Sequence, residues 1–123
     1  MKQSLAPLYL VLLLGFAAYC GQKEETPSIN IQIGDVVEGR GKHYQYVKGN
    51  VLNAKGITID YLEGNIAGEK TRSLFVNVMR GNIEQGAVTV NVLNGDIIDG
   101  ENVTVNVLNG RDFSGKAKIL KKL

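Results

Sequence analysis

A glycine that returns about every fifteen residues constrains this chain more than any other feature. Gly34, Gly49, Gly64, Gly81, Gly95 and Gly110 stand 15, 15, 17, 14 and 15 residues apart. Neighbouring residues repeat by chemical type around each of them. A unit this short cannot bury an apolar face by itself, so its copies must cover one another.

The columns of the repeat give strand character. Five positions before the glycine stand Ile29, Tyr44, Ile59, Val76, Val90 and Val105, and three before it Ile31, Tyr46, Tyr61, Val78, Val92 and Val107. Both columns are rich in the β-branched and aromatic types that favour strands. Between them runs a polar column, Asn30, Gln45, Asp60, Asn77, Asn91 and Asn106. The alternation in Val88-Thr-Val-Asn-Val92 and Val103-Thr-Val-Asn-Val107 predicts half-buried strands with the valines inward. The glycine then marks a corner, because it reaches positive φ without a Cβ penalty. After it come an Asx column (Asp35, Asn50, Asn65, Asn82, Asp96) and an apolar column (Val36, Val51, Ile66, Ile83, Ile97). The last unit carries Arg111 and Asp112 at these two places, as a terminal unit often departs from its pattern. A second corner falls at Gln85-Gly86, Asp99-Gly100 and Ser114-Gly115.

Two all-β architectures satisfy this pattern. One is a single-domain β-solenoid of about six 15-residue coils over residues 29–115. The other is an antiparallel β-meander or sandwich in which Asn94-Gly95 and Asn109-Gly110 make two-residue hairpin turns. The dipeptide changes from unit to unit while the columns persist, and columns are what coil-on-coil stacking requires, so the solenoid is preferred. The Gly-Asn/Asp-Ile/Val units, as at Gly49-Asn-Val, Gly64-Asn-Ile, Gly81-Asn-Ile and Gly95-Asp-Ile, resemble the bactofilins and the adhesin-type repeats of bacteria. The first resemblance implies a self-assembling scaffold and the second a surface binder.

The first twenty residues have the layout of a secretory signal: Lys2 near the start, then the apolar run from Leu5 to Tyr19. Fifteen residues at helical rise span ~22 Å, less than the ~30 Å hydrocarbon core. Residues 1–19 are therefore expected to be a signal peptide rather than a permanent membrane span. Cys20, the sole cysteine, cannot close an internal disulfide. Its place after the apolar run resembles that of bacterial lipoproteins. The resemblance implies cleavage before Cys20 and acylation of its sulfur (palmitate among the chains), with residues 20–28 as a flexible tether. It also implies a cell-envelope location, the outer membrane or cell surface before the inner membrane. Without residues 1–20 the chain has 13 basic and 12 acidic side chains, a balance that gives no reason to expect nucleic acid.

Candidate chemistry is sparse. The outward residues Thr58, Asp60, Asn77, Thr89, Asn91, Thr104 and Asn106 form a polar strip that could bind a glycan or a protein. Stacked amides also satisfy one another, as in cross-β ladders. The Asx column after the glycine has hard oxygen ligands, but only Asp35 and Asp96 carry charge, so turn bonding is expected and no metal. His43, the one histidine, lacks the orienting carboxylate and nucleophile that catalysis would need. No cofactor is expected. The tail Lys116–Leu123 is expected to be a basic cap that blunts the last edge; contact with anionic headgroups is the alternative. The sequence thus predicts a non-enzymatic, lipid-anchored structural or interaction module, with adhesin-like binding or self-assembly as alternatives.

Overall fold

The computed structural model describes residues 28–123; the signal segment, Cys20 and tether residues 21–27 lie outside them. The described chain is an all-β solenoid of about six turns. Its strands are β1 (Ser28–Ile33), β2 (Val36–Val37), β3 (His43–Lys48), β4 (Val51–Leu52), β5 (Thr58–Glu63), β6 (Ile66–Ala67), β7 (Leu74–Arg80), β8 (Val88–Asn94), β9 (Val103–Asn109) and β10 (Lys118–Lys122). Seven of them form one sheet in the order β10-β9-β8-β7-β5-β3-β1, and β2-β4-β6 form a second. Every pairing is parallel, and partners are the residues that share a column: Val76 with Val90, and Val90 with Val105. The short sheet continues past β6 as single bridges, Ile66 to Ile83 to Ile97 to Asp112. A hairpin at Asn94-Gly95 is thereby excluded, because both sides of that corner pair with other coils.

The core differs from the expected valine face at one column. Val88 and Val90 are buried, but Val92 is only half-buried and Leu93 is sealed. The same flip occurs in β9, where Val107 is half-exposed and Leu108 buried. Two consecutive residues, Asn91 and Val92, therefore face outward. The bridges of each pair skip the polar column (Val90 to Val105, then Val92 to Val107), which is where the strand bends and changes phase. The inward columns are thus Ile59-Val76-Val90-Val105, Val47-Leu62-Met79-Leu93-Leu108 and Val51-Ile66-Ile83-Ile97, all fully buried. The Tyr46, Tyr61, Val78, Val92 and Val107 column lies outside.

The glycine column has a second cause besides turning. From Gly49 to Gly110 its φ values lie between +147° and +156°. A Cβ added at any of these five would strike the carbonyl of the glycine one coil earlier. Only a residue with no side chain lets consecutive corners approach to strand spacing. Gly34, in the first coil, has open space at that point.

Both ends carry polar residues at inward register positions. Gln32 pairs with Val47, and Lys122 pairs with Leu108. An inward-register lysine on the last strand opposes addition of another strand. Among the described residues, one continuous core cluster from Val36 to Leu108 joins the coils, which gives residues 28–123 the core of a folding unit.

Candidate functional site

The corner after each glycine turns a backbone amide away from the regular ladder, and the Asx column answers it. The amides of Asn50, Asn65, Asn82, Asp96 and Arg111 donate to the side-chain Oδ1 of Asp35, Asn50, Asn65, Asn82 and Asp96, at 2.9, 3.0, 2.9, 2.9 and 3.0 Å. Each side chain thus serves the coil that follows it. The turn bonding expected from sequence is therefore a bond between coils. Either Asp or Asn suffices because only an oxygen acceptor is needed. Arg111 offers no acceptor, and the ladder ends there.

In the last coil Asp112 stands where earlier coils bury valine or isoleucine. Its Oδ1 accepts from the Ser114 amide at 3.1 Å and the Ser114 hydroxyl at 2.6 Å, and its Oδ2 from the Ala117 amide at 2.9 Å. Partial burial raises its pKa, but the Ser114 hydroxyl and the amides of Ala117, Gly115 and Ser114 outweigh it. The carboxyl is held below its ordinary value. The departure at the end of the repeat is thus a built turn that directs the chain into β10.

The predicted polar strip lies on the outer face of the seven-stranded sheet, and the structure divides it. Asn91 donates to Asn77 at 3.0 Å and Asn106 to Asn91 at 2.9 Å, both through Nδ2. This row binds itself, as stacked amides do. Thr58 and Thr89 remain exposed and Thr104 is half-exposed; Phe75 interrupts their column between Thr58 and Thr89 and is 41% exposed. Asp60 is drawn to His43, whose Nε2 lies 2.9 Å from its Oδ1. The carboxylate partner of His43 that sequence reasoning did not find is thus one coil away, and both groups are open to solvent.

Beside this strip runs an aromatic and charged patch that the repeat pattern had assigned to the core. Tyr46 and Tyr61 stack with centroids 5.5 Å apart and rings 8° from parallel. The Tyr46 hydroxyl donates to Glu63 Oε1 at 2.6 Å, and Arg80 lies 3.9 Å from Oε2. The Tyr46 bond, helped by Lys48 and Arg80, lowers the Glu63 pKa against some desolvation. The same bond raises that of Tyr46. The signal available in sequence was two tyrosines in one column, Tyr46 and Tyr61, whose hydroxyls need polar partners, although the single Tyr44 is buried in the inward column.

The unequal spacing leaves a cleft. The step of 17 residues from Gly64 to Gly81 places extra residues in the loop Gly68–Thr71, and the next step is only 14. An open cavity of about 410 Å³ lies there, lined by Glu69, Thr71, Arg72, Gln85, Asp99 and Glu101 among others. Thr71, buried at its back, donates to the Ala67 carbonyl at 2.8 Å. Among the described residues no three His, Cys, Asp or Glu side chains come together as metal ligands. Comparison with protein-family models, with curated proteins and with solved structures finds no match to this chain.

Proposed function

We propose that this chain is a non-enzymatic, lipid-anchored module of the bacterial cell envelope, acting as a rigid structural or interaction element. The observation that carries the reading is the order of its parts: an apolar run closed by Cys20, a short polar tether, and then at once a stiff solenoid. Six coils at ~4.8 Å per strand make a rod on the order of 30 Å long. Three buried columns, the glycine contacts and the Asx ladder all tie each coil to the next. A rod held so repetitively presents its outer face in one shape, which suits a spacer or a docking face. The anchor places it on the outer membrane or cell surface. Mass spectrometry of the native protein tests the anchor directly. The expected species begins at Cys20 and carries acyl chains on that residue; an unmodified Cys20 would overturn it.

A second reading, binding of a host-matrix or glycan ligand through the strip, is favoured by the exposed Thr58 and Thr89 beside the self-bonded amide row. A glycan array probed with the repeat domain tests it. Binding that disappears in Thr89→Lys and Asn91→Lys supports the strip; binding indifferent to both removes it.

A further inference from the structure

The corner opposite the glycine turn repeats a cation at one register position in each of the first three coils, with Glu38 and Glu69 nearby. Arg40, Lys55 and Arg72 bridge one another in parallel register. The residue after each, Gly41, Gly56 and Ser73, has φ of 58°, 66° and 54°. The same tight turn therefore presents a cation at the same place three times over. Like charges facing each other across paired strands oppose folding, and none of the three makes an ion pair among the described residues. The Glu63–Arg80 ion pair and the His43–Asp60 hydrogen bond lie on the seven-stranded sheet. Lys70 adds a fourth cation at a hollow of about 120 Å³ lined by Glu38, Arg40, Asn53, Lys55 and Lys70. Farther along, the cleft lining brings Asp99 and Glu101 to this side of the molecule. Four cations (Arg40, Lys55, Lys70 and Arg72) against Glu38 and Glu69 leave the edge net basic toward the N-terminus, and Asp99 and Glu101 make it acidic beyond Arg72.

We infer that the Arg40–Lys55–Arg72 ridge is a binding surface for the phosphate groups of an anionic lipid bilayer, and that it sets the first three coils against the membrane with the later coils rising away from it. The occupant follows from charge and from where the chain is tied. This placement rests on the anchor reading above. Residues 21–27 separate Cys20 from β1, and a fully extended tether of that length spans about 25–30 Å. A ridge on the first three coils is within that reach, and the acidic half of the edge points away. The lysines of β10 lie at the other end, about 14 Å beyond the coil of Arg72 and about 29 Å beyond β1. Basic residues act on an anionic surface only within about one Debye length, ~10 Å. The ridge, not the tail, is therefore the cationic group that the tether delivers.

The repeat domain 28–123, which has no acylation site, isolates the ridge. Vesicles of phosphatidylcholine, with or without about one third phosphatidylglycerol, are pelleted with it at low salt. Binding to the anionic vesicles alone is expected. Each neutralised cation should cost about fivefold, so Arg40→Gln/Lys55→Gln/Arg72→Gln should lose about 100-fold. The variant Lys118→Gln/Lys121→Gln/Lys122→Gln should bind as the parent does. Circular dichroism checks that each is folded, and Lys55→Gln alone, with its fivefold loss, serves if the triple variant is not. Equal binding to neutral vesicles, full affinity in the folded ridge variants, or loss confined to the tail variant would overturn the inference. Displacement by inorganic phosphate beyond that by chloride of equal ionic strength would assign a free-phosphate site and overturn the membrane surface. The mass of Cys20 plays no part in this assay, so failure of the anchor and failure of the ridge are separately visible.

Discussion

Gly81→Ala and Gly34→Ala are the same substitution in the same column, yet the structure predicts different costs. At Gly81 φ is +147°, and a Cβ would press on the Gly64 carbonyl, with its carbon only 2.7 Å away. The coils cannot part there without loss, because three bonds flank the contact. Gly64 donates to the Arg80 carbonyl at 3.0 Å, Ile66 to the Asn82 carbonyl at 3.0 Å, and the Asn82 amide to Asn65 Oδ1 at 2.9 Å. Backbone strain for a residue with a side chain contributes ~1–3 kcal/mol. Overpacking against a backbone atom adds ~1–3 kcal/mol, for a total of about 2–6 kcal/mol. At Gly34 φ is +116° and no atom lies within 4 Å of the added Cβ, so only the strain applies, about 1–3 kcal/mol. Urea and thermal denaturation of the repeat domain measure both. At about 4–8 °C per kcal/mol for a domain of this size, the ~1–3 kcal/mol of overpacking should make Gly81→Ala melt at least about 4 °C below Gly34→Ala. Equal losses would refute the idea that contact between successive corners, and not turning alone, fixes the column.

The Asx ladder predicts that Asn82→Ala costs ~1–2 kcal/mol by orphaning the Asp96 amide, while Asn82→Asp is nearly neutral at pH 7; chemical denaturation of both variants checks this. The change of phase at the polar column predicts ~2–5 kcal/mol for Leu62→Ala and under ~1 kcal/mol for Val92→Ala, although both are large apolar residues in strands. The same denaturation series separates them. Asp112 titrates below its ordinary value near 3.8, so its turn is stabilised above that pH and loses this stabilisation as the pH falls through the lower folded value. Amide exchange at Ser114 and Ala117 should therefore accelerate, relative to the coil interior, below about pH 4, and Asp112→Asn should remove that pH dependence. Self-assembly through the ends is opposed by the basic last strand. Lys118→Thr/Lys121→Thr/Lys122→Val should form concentration-dependent filaments in light scattering while the parent stays monomeric.

Much of this fold is legible in the sequence because a solenoid writes its stacking into columns. The glycine period, the buried Val90 and Val105 column and the apolar column from Val36 to Ile97 can be read directly. The assignment of Val92 and Val107 to the core fails for a local reason. Strict alternation assumes a straight strand, and these strands bend at Asn91 and Asn106, so the residue after each asparagine stays outside and Leu93 and Leu108 turn in. The column of Val47, Leu62, Met79, Leu93 and Leu108 carries the signal that would have found it, since all five side chains are apolar with no hydrogen-bonding group to satisfy. The polar strip was legible as an outward row. That Asn77, Asn91 and Asn106 bond to one another while Asp60 goes to His43 was not, because the partners lie 14 to 17 residues apart. The basic ridge was hidden for the same reason: Arg40, Lys55 and Arg72 are unremarkable one at a time and become a feature only when the coils bring them into register.

Nuclear Overhauser contacts in the repeat domain test the stacking of coils most directly. The account predicts backbone contacts between Val90 and Val105 and between Leu62 and Met79, with none pairing Val92 to Ile97 across Asn94-Gly95. Contacts across that turn, in place of those between columns, would contradict it.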